Sequence, residues 1–378
     1  MKTNDNDDEY SLLGGKKALF KIVIYLGESR PFDNKDYGLK LISEFIKKGY
    51  NVTALILKES DPINQKPDVL PVNIKKFILP DVLTLKRTDI KEMLKRKDVL
   101  DKVNTWIGDI KKLDIDLGII FYGFWLPPEM YDVAKMGFIN FHPGPLPYLK
   151  GIEPDTFVIL EGWKKAWGAV HKVVPNFDEG DIITKTKTLK VSKYSTPVEV
   201  LLKLTALGIN AILKAIKNIL NNKPAYKMKN GSIATIARAR KESYIQWEND
   251  DIKMIDRKIR AFSGQDIKIR LKAVINDKLY YIYNLETYKS NNKLIRSFKE
   301  GTIFGFYQPE GNYHLMPIIK AKDGVVIILG HEDNGVPECD LPFTKENIIA
   351  PKKRKYETNF KMIKNSIMKN IQRGETNE

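Results

Sequence analysis

Short, nearly unbroken apolar runs alternate with stretches of helical periodicity through the N-terminal half of the chain. Leu19–Leu26 reads as a strand covered on both faces, where in–out alternation is lost. A helix is expected over Asp36–Lys48, with Leu39, Ile42, Phe45 and Ile46 along one face and Gly49 closing it. Val52–Leu57 is the next strand, which makes the opening a βαβ unit. Residues 85–112 read as charged and helical, and Leu117–Tyr122 as a central strand. Pro127–Met136 reads as a short helix with proline in its first turn. Phe138–His142 is a further strand, and others are expected at Ala169–Val174 and Ile182–Leu189. Thr196-Pro-Val-Glu199 is a capping box opening an apolar helix that runs to Leu220.

The pattern changes after that helix. Residues 221–240 are polar, with Asn, Lys, Pro and Gly, and read as a linker. Ile252, Ile255, Ile259 and Phe262 recur at helical spacing, so Asp251–Phe262 is an amphipathic helix. Short strands follow at Ile267–Ile275, Leu279–Thr287, Gly301–Tyr307, Leu315–Lys320 and Val325–Leu329. Asn276-Asp277 and Asp323-Gly324 give turn signals between them. A helix followed by five short strands suggests a small barrel. The expected organisation is a polar tail (1–17), a catalytic domain (18–220), a linker (221–240), a small C-terminal domain (241–350) and a basic tail (351–378).

Composition narrows the chemistry. Of 378 residues, 63 are Lys or Arg and 47 Asp or Glu, a net charge of +16. That balance suits nucleic acid or a phosphate-bearing small substrate, although lysines on solvated faces account for it as well. Cys339 is the single cysteine, so neither an intramolecular disulfide nor a cysteine metal site is open to the chain. The start, Met1-Lys-Thr-Asn-Asp-Asn-Asp-Asp-Glu9, is acidic and lacks the apolar core of a signal peptide. No run approaches the roughly 20 apolar residues that span a bilayer. A cytoplasmic location is expected. Neither a Walker A loop nor a G-x-G-x-x-G follows the first strand, which argues against a nicotinamide dehydrogenase.

The candidate chemistry sits at the end of the fourth apolar run. His142, one of only four histidines, lies in Phe138-Ile-Asn-Phe-His-Pro-Gly-Pro-Leu-Pro147, and Asp178-Glu-Gly180 follows further along. An amide donor, an imidazole and a carboxylate can together stabilise an oxyanion and move a proton, which suits acyl transfer to an amine. Each has a plainer reading: His142 as a strand-end histidine, Asn140 as a turn cap, Asp178-Glu-Gly180 as an ordinary turn. His171 reads as a core or strand-face histidine more than as a catalytic one. His314 and His331 lack partners at metal-ligand spacing.

Asn140-Phe-His-Pro-Gly-Pro-Leu-Pro147-Tyr-Leu-Lys-Gly151, with Phe121-Tyr-Gly-Phe-Trp-Leu-Pro127 before it and Asp178-Glu-Gly-Asp-Ile-Ile183 after it, resembles the signature of folate-dependent formyltransferases. Ala237–Trp247 and Ile259–Phe262 resemble the start of the small domain in the tRNA and amino-sugar branches of that family. The resemblance implies an α/β fold: a doubly wound, mostly parallel, Rossmann-like sheet followed by a small OB-like β-barrel. It implies 10-formyltetrahydrofolate as cosubstrate and no metal. It implies that Asn140, His142 and Asp178 are catalytic, and that Phe124, Leu126, Val174, Pro175 and Phe177 hold the pterin. Asp181 fits a structural place in the motif better than a catalytic one.

Two features depart from the pattern. The family's glycine eleven residues before the aspartate is replaced by Trp167, with Gly168 one residue late, which reads as a one-residue deletion in the strand. Residues 26–37 also differ from the tRNA branch. The loop Pro143-Gly-Pro-Leu-Pro147 and the stretch Lys150-Gly-Ile-Glu-Pro154 look closer to the sugar branch. The expected reaction is therefore formyl transfer to the amine of a nucleotide-linked amino sugar. Methionyl-tRNA is the alternative acceptor, favoured by the charge and basic tail. A non-enzymatic nucleic-acid-binding protein ranks last, because it leaves Asn140, His142 and Asp178 without a role. A homodimer through the second domain is left open.

Overall fold

A computed structural model of the chain describes residues 20–27, 36–61, 63, 70–71, 73–85, 87–121, 126–262, 269–307 and 316–333. Both tails, Phe124, His314 and Cys339 lie outside them. The chain divides into two compact units. The first holds residues up to Gly151 with Ala166–Leu189 and Leu201–Ile233; the second holds Ile152–Lys165, Lys190–Val200 and the chain from Ala234.

The first unit is built on a seven-stranded sheet: β1 (Lys21–Leu26), β2 (Asn51–Leu57), β3 (Lys75–Ile78), β4 (Leu117–Phe121), β5 (Phe138–His142), β6 (Ala169–Lys172) and β7 (Ile182–Lys185). Their order is β3-β2-β1-β4-β5-β6-β7. The strands from β3 to β5 are parallel, and β6 and β7 are added antiparallel at one side. Both faces of β1 are buried, so its apolar run is continuous. Helices α1 (Asp36–Lys47) and α2 (Lys97–Lys111) and the long helix α3 (Pro197–Leu220) flank the sheet. Ile24 and Phe141 pack with α1 and α3 through Phe45 and Ile212. Tyr25 and Phe138 pack with Val103 of α2 and with Met130 on the other face. The sheet is thus covered on two sides, with helices of the two sides drawing on alternate residues of the same strands.

Several details differ from the pattern reading. On α1 the buried residues are Leu41, Ile42 and Phe45, while Ile46 is 41% exposed. The apolar stripe is rotated because Leu41 takes the place assigned to Ile46. The turn after β4 is a 3₁₀ segment, Pro128–Val133. β3 is an additional strand; its sequence, KKFI, carries too few apolar residues to announce it. Residues 221–240 are more than a polar connector, since Ser232–Ala234 forms a strand and Ile236–Glu242 a helix capped by the Thr235 hydroxyl.

The second unit contains a five-stranded antiparallel sheet of β8 (Leu271–Ile275), β9 (Lys278–Lys289), β10 (Ile303–Tyr307), β11 (Met316–Ala321) and β12 (Gly324–Asp333), in the order β8-β9-β12-β11-β10. Asn276 and Asp277 both take positive φ, 48° and 61°, as a tight two-residue hairpin requires. Pairings among the described residues leave β8 and β10 as edges, so the finding is an antiparallel sheet, without barrel closure. Helix α4 (Ile252–Phe262) buries Ile255, Ile259 and Phe262, as its spacing predicts. Among the described residues no helix is long and apolar enough to cross a membrane.

α4 also carries a buried cation. Lys258 is 2% exposed and donates to Asp250 Oδ2 and to the Tyr244 carbonyl, each at 2.7 Å. Asp250 Oδ2 further accepts the Gln246 N–H at 2.8 Å. Removing one member leaves the other charge buried and unpaired, which costs about 3–5 kcal/mol. Asp250→Ala should therefore lower the urea midpoint of the second unit sharply. Combining Lys258→Met with Asp250→Leu should recover much of that loss.

Candidate active site

Strand alternation decides which residues of β5 reach the site. Ile139 and Phe141 point into the core shared with α3. Asn140 and His142 therefore point to the opposite face, at the carboxyl end of a parallel strand, where open α/β sheets gather ligand-binding groups. Antiparallel β6 lies alongside, pairing Asn140 with His171 and His142 with Ala169. Directly paired residues share a face, so His171 joins the same surface.

Asp178 completes the cluster. It is 9% exposed, and its backbone takes a left-handed φ of 52°. That conformation costs about 1–3 kcal/mol for a residue other than glycine, and its carboxylate contacts hold it there. Oδ2 accepts the Gly151 N–H at 2.8 Å and lies 3.3 Å from His142 Nδ1; Oδ1 lies 3.2 Å from His171 Nε2. Burial alone would raise the Asp178 carboxyl. The charge of His142, the hydrogen bond and charge of His171 and the Gly151 N–H outweigh burial and hold it well below the ordinary carboxylate range.

Each imidazole is oriented by a backbone carbonyl. His142 Nε2 lies 2.8 Å from the Leu149 carbonyl, and His171 Nδ1 lies 2.8 Å from the Lys172 carbonyl. A carbonyl only accepts, so each of these nitrogens carries its proton. The remaining nitrogen of each ring then faces the carboxylate, where a proton has a hydrogen-bond acceptor. Asn140 Nδ2 is 3.1 Å from His171 Nε2. With its proton turned to the carboxylate that ring nitrogen does not accept, and the Asn140 amide, which carries two protons, can offer an N–H to a ligand oxygen.

Of the residues expected to form the site, Asn140, His142 and Asp178 come together. Leu126 is 2% exposed, and its carbonyl accepts from the Tyr131 hydroxyl at 2.9 Å. Val174 is half-buried, Pro175 is exposed and Phe177 is 51% exposed, all on the loop leading into Asp178. The Asp181 carboxylate turns away to Lys227 Nζ at 2.9 Å and the Met228 N–H at 3.3 Å. The strand-face reading of His171 gave no sign of its contact with Asp178. Its rarity was visible, but its contact with Asp178 depends on the pairing of β5 with β6, which no local pattern reports. The Trp167–Gly168 departure is accompanied by a register shift between Val170 and His171 in the pairing with β7.

Gly180 has a steric reason. A Cβ there would meet the Lys172 carbonyl oxygen at 1.8 Å. Gly180→Ala should cost about 1–3 kcal/mol, as overpacking does, and should lower turnover by displacing the Asp178 loop; thermal melting and initial rates measure both. Asp178 also gives a pH prediction. Because its folded pKa is depressed, its stabilisation is present above the unfolded value near 3.9 and is lost as pH falls through the folded one. The unfolding free energy of wild type minus that of Asp178→Asn should be flat between about pH 7 and 5 and shrink below about 4. Urea titrations of both proteins over that range test it; a difference that grows on acidification contradicts it.

Residues 85–216 match the Formyl transferase family. The methionyl-tRNA formyltransferase of Caldicellulosiruptor saccharolyticus is 24% identical over 295 residues, covering 77% of this chain and 87% of that protein. The structure of WlaRD, a sugar 3N-formyl transferase in the presence of dTDP and 5-N-formyl-THF, aligns with a TM-score of 0.52 at 17% identity, covering 82% of this chain and 97% of WlaRD. HypX from Aquifex aeolicus, in complex with tetrahydrofolic acid, aligns at 15% identity and a TM-score of 0.49; the match covers 83% of this chain and 44% of HypX. The matched segment contains Asn140, His142 and Asp178, on a sheet of the same kind as that of WlaRD. Residues 85–216 are thus similar to the Formyl transferase family, and the chain is similar along most of its length to a methionyl-tRNA formyltransferase, which supports folate-dependent formyl transfer.

Proposed function

We propose that this enzyme transfers the formyl group of 10-formyltetrahydrofolate to the amine of a nucleotide-linked amino sugar, with Asn140, His142 and Asp178 as its catalytic residues. The observation that carries the chemistry is the buried Asp178 carboxylate set between two imidazoles. Attack of the amine nitrogen on the formyl carbon moves the carbonyl electron pair onto oxygen. Asn140 donates an N–H to that oxygen. The proton released by the nitrogen passes to the His142–Asp178 pair, and a proton returns to the folate nitrogen as its bond to the formyl carbon breaks. His171 is a positioning residue that keeps Asp178 ionised. Leu126, Val174, Pro175 and Phe177, with Phe124, hold the pterin; the exposed Pro175 and Phe177 offer apolar surface that suits a flat heterocycle.

The sugar acceptor is supported by the loop Pro143–Pro147 and by Lys150-Gly-Ile-Glu-Pro154, which differ from the tRNA branch. A second reading, transfer to methionyl-tRNA, has comparable support. The curated relative described above carries that name. In the second unit, Lys272 Nζ lies 5.4 Å from the ring centroids of both Tyr244 and Tyr281, and Tyr283 is 58% exposed. Lysines interleaved with aromatics suit single-stranded nucleic acid.

Initial rates at matched donor concentration, with a panel of nucleotide-linked amino sugars and with charged initiator tRNA, decide between the two. Formylation of a sugar amine, with little salt dependence, is expected; a tRNA acceptor would bring the steep salt dependence of many phosphate contacts. Efficient formylation of tRNA with none of any sugar overturns the acceptor. His142→Ala should lower turnover on the order of a hundredfold or more without lowering the melting temperature enough to unfold the protein. Asp181→Asn should be much milder than Asp178→Asn. Near-normal turnover in folded His142→Ala would sink its catalytic role.

A further inference from the structure

The face that carries Asn140 and His142 does not end at His171. On β6, Ala169 stands opposite His142, and on β7, Lys185 stands opposite Ala169. The three form a row across adjacent strands, so Lys185 lies roughly 10 Å from His142, two strand spacings away. Trp167 lies two residues before Ala169, beyond the carboxyl end of β5. Its Nε1 donates to the Leu146 carbonyl at 3.2 Å, which fixes the indole against the proline-rich loop. The Tyr148 ring, from the same loop, meets Trp167 edge-on, with centroids 6.0 Å apart and planes at 83°. Lys185 Nζ sits 5.1 Å from the Trp167 centroid.

Two observations mark this cluster as more than filling. Tyr148 is 52% exposed, although it sits beside Leu149, whose carbonyl orients His142. Lys185 has no carboxylate partner among the described residues. Partial burial draws its ammonium below the ordinary lysine value, a cost that an adjacent anion would offset. An aromatic surface joined to an unneutralised cation suits a base attached to a phosphate. Position chooses the acceptor over the donor. The loop 174–177, which leads into Asp178, leaves the opposite end of β6 from Trp167.

We propose that Tyr148, Trp167 and Lys185 form the acceptor's nucleotide subsite, the rings stacking its base and Lys185 pairing with its diphosphate. This rests on the sugar-nucleotide reading of the acceptor. It also assigns a purpose to Trp167, which stands where the family pattern has glycine. Recognition at this subsite would bring the sugar amine toward Asn140 and His142 along one face of the sheet.

The test reads binding apart from turnover. Affinities of uridine diphosphate, thymidine diphosphate and uridine would be measured calorimetrically for wild type, Trp167→Leu, Trp167→Phe and Lys185→Met, with tetrahydrofolate as the donor-side control and thermal melting as the folding control. Trp167→Leu and Lys185→Met should each weaken a diphosphate on the order of tenfold, and Trp167→Phe should retain most of the affinity. Lys185→Met should leave uridine unaffected. Acceptor KM should rise with kcat little changed. Unaltered diphosphate binding in both disruptive variants overturns the subsite while the sugar-nucleotide reading stands. A selective loss of tetrahydrofolate binding overturns it in favour of the donor. Failure of wild type to bind either diphosphate, together with efficient formylation of tRNA, removes the acceptor reading and the subsite with it.

Discussion

The site depends on one ionised carboxylate kept out of water. A buried carboxyl without compensation would take up a proton and lose its use as an acceptor. Asp178 avoids this through an imidazole on each oxygen and one backbone N–H. Those partners come from β5, β6 and the short strand Leu149–Gly151, so a single side chain ties three stretches of chain together. The left-handed backbone at Asp178 is the local cost of aiming the carboxylate inward, and the missing side chain at Gly180 lets the loop pass close to Lys172.

The surrounding fold supplies rigidity without chemistry of its own. β5 is clamped between two apolar layers, one through Phe141 and one through Phe138. Its two polar side chains, Asn140 and His142, alternate with those core residues toward its carboxyl end. The same alternation that fills the core therefore turns Asn140 and His142 toward a ligand.

The sequence made much of this legible, and unevenly. Both-face burial made β1, β4 and β5 plain, because a short unbroken apolar run fits little besides a strand covered on two sides. The Asn140–His142 spacing was readable from strand geometry: two residues apart on a strand means one face. The rotation of α1 was not readable, since Leu41 and Ile46 serve equally well in a helical stripe until a partner surface selects one. β3 was missed for lack of apolar residues, and the strand and helix within 221–240 for excess of polar ones. His171 was read as a core or strand-face histidine, and its contact with Asp178 comes from cross-strand register, a non-local property. Asp181, read as structural, pairs with Lys227 and lies outside the cluster of imidazoles around Asp178.

The pairing of β6 with β5 also limits how this chain can change in length. His171 faces Asp178 because it lies an even number of positions, two and four, from Ala169 and Trp167. Insertion or loss of one residue within that strand would turn Val170 toward the carboxylate and bury an imidazole in the core beneath α3. Changes there must come in pairs or be absorbed by a bulge, and a bulge is what the pairing with β7 already contains between Val170 and His171. The irregularity is thus a place where the strand tolerates variation at its outer edge while its inner edge stays in step with the carboxylate.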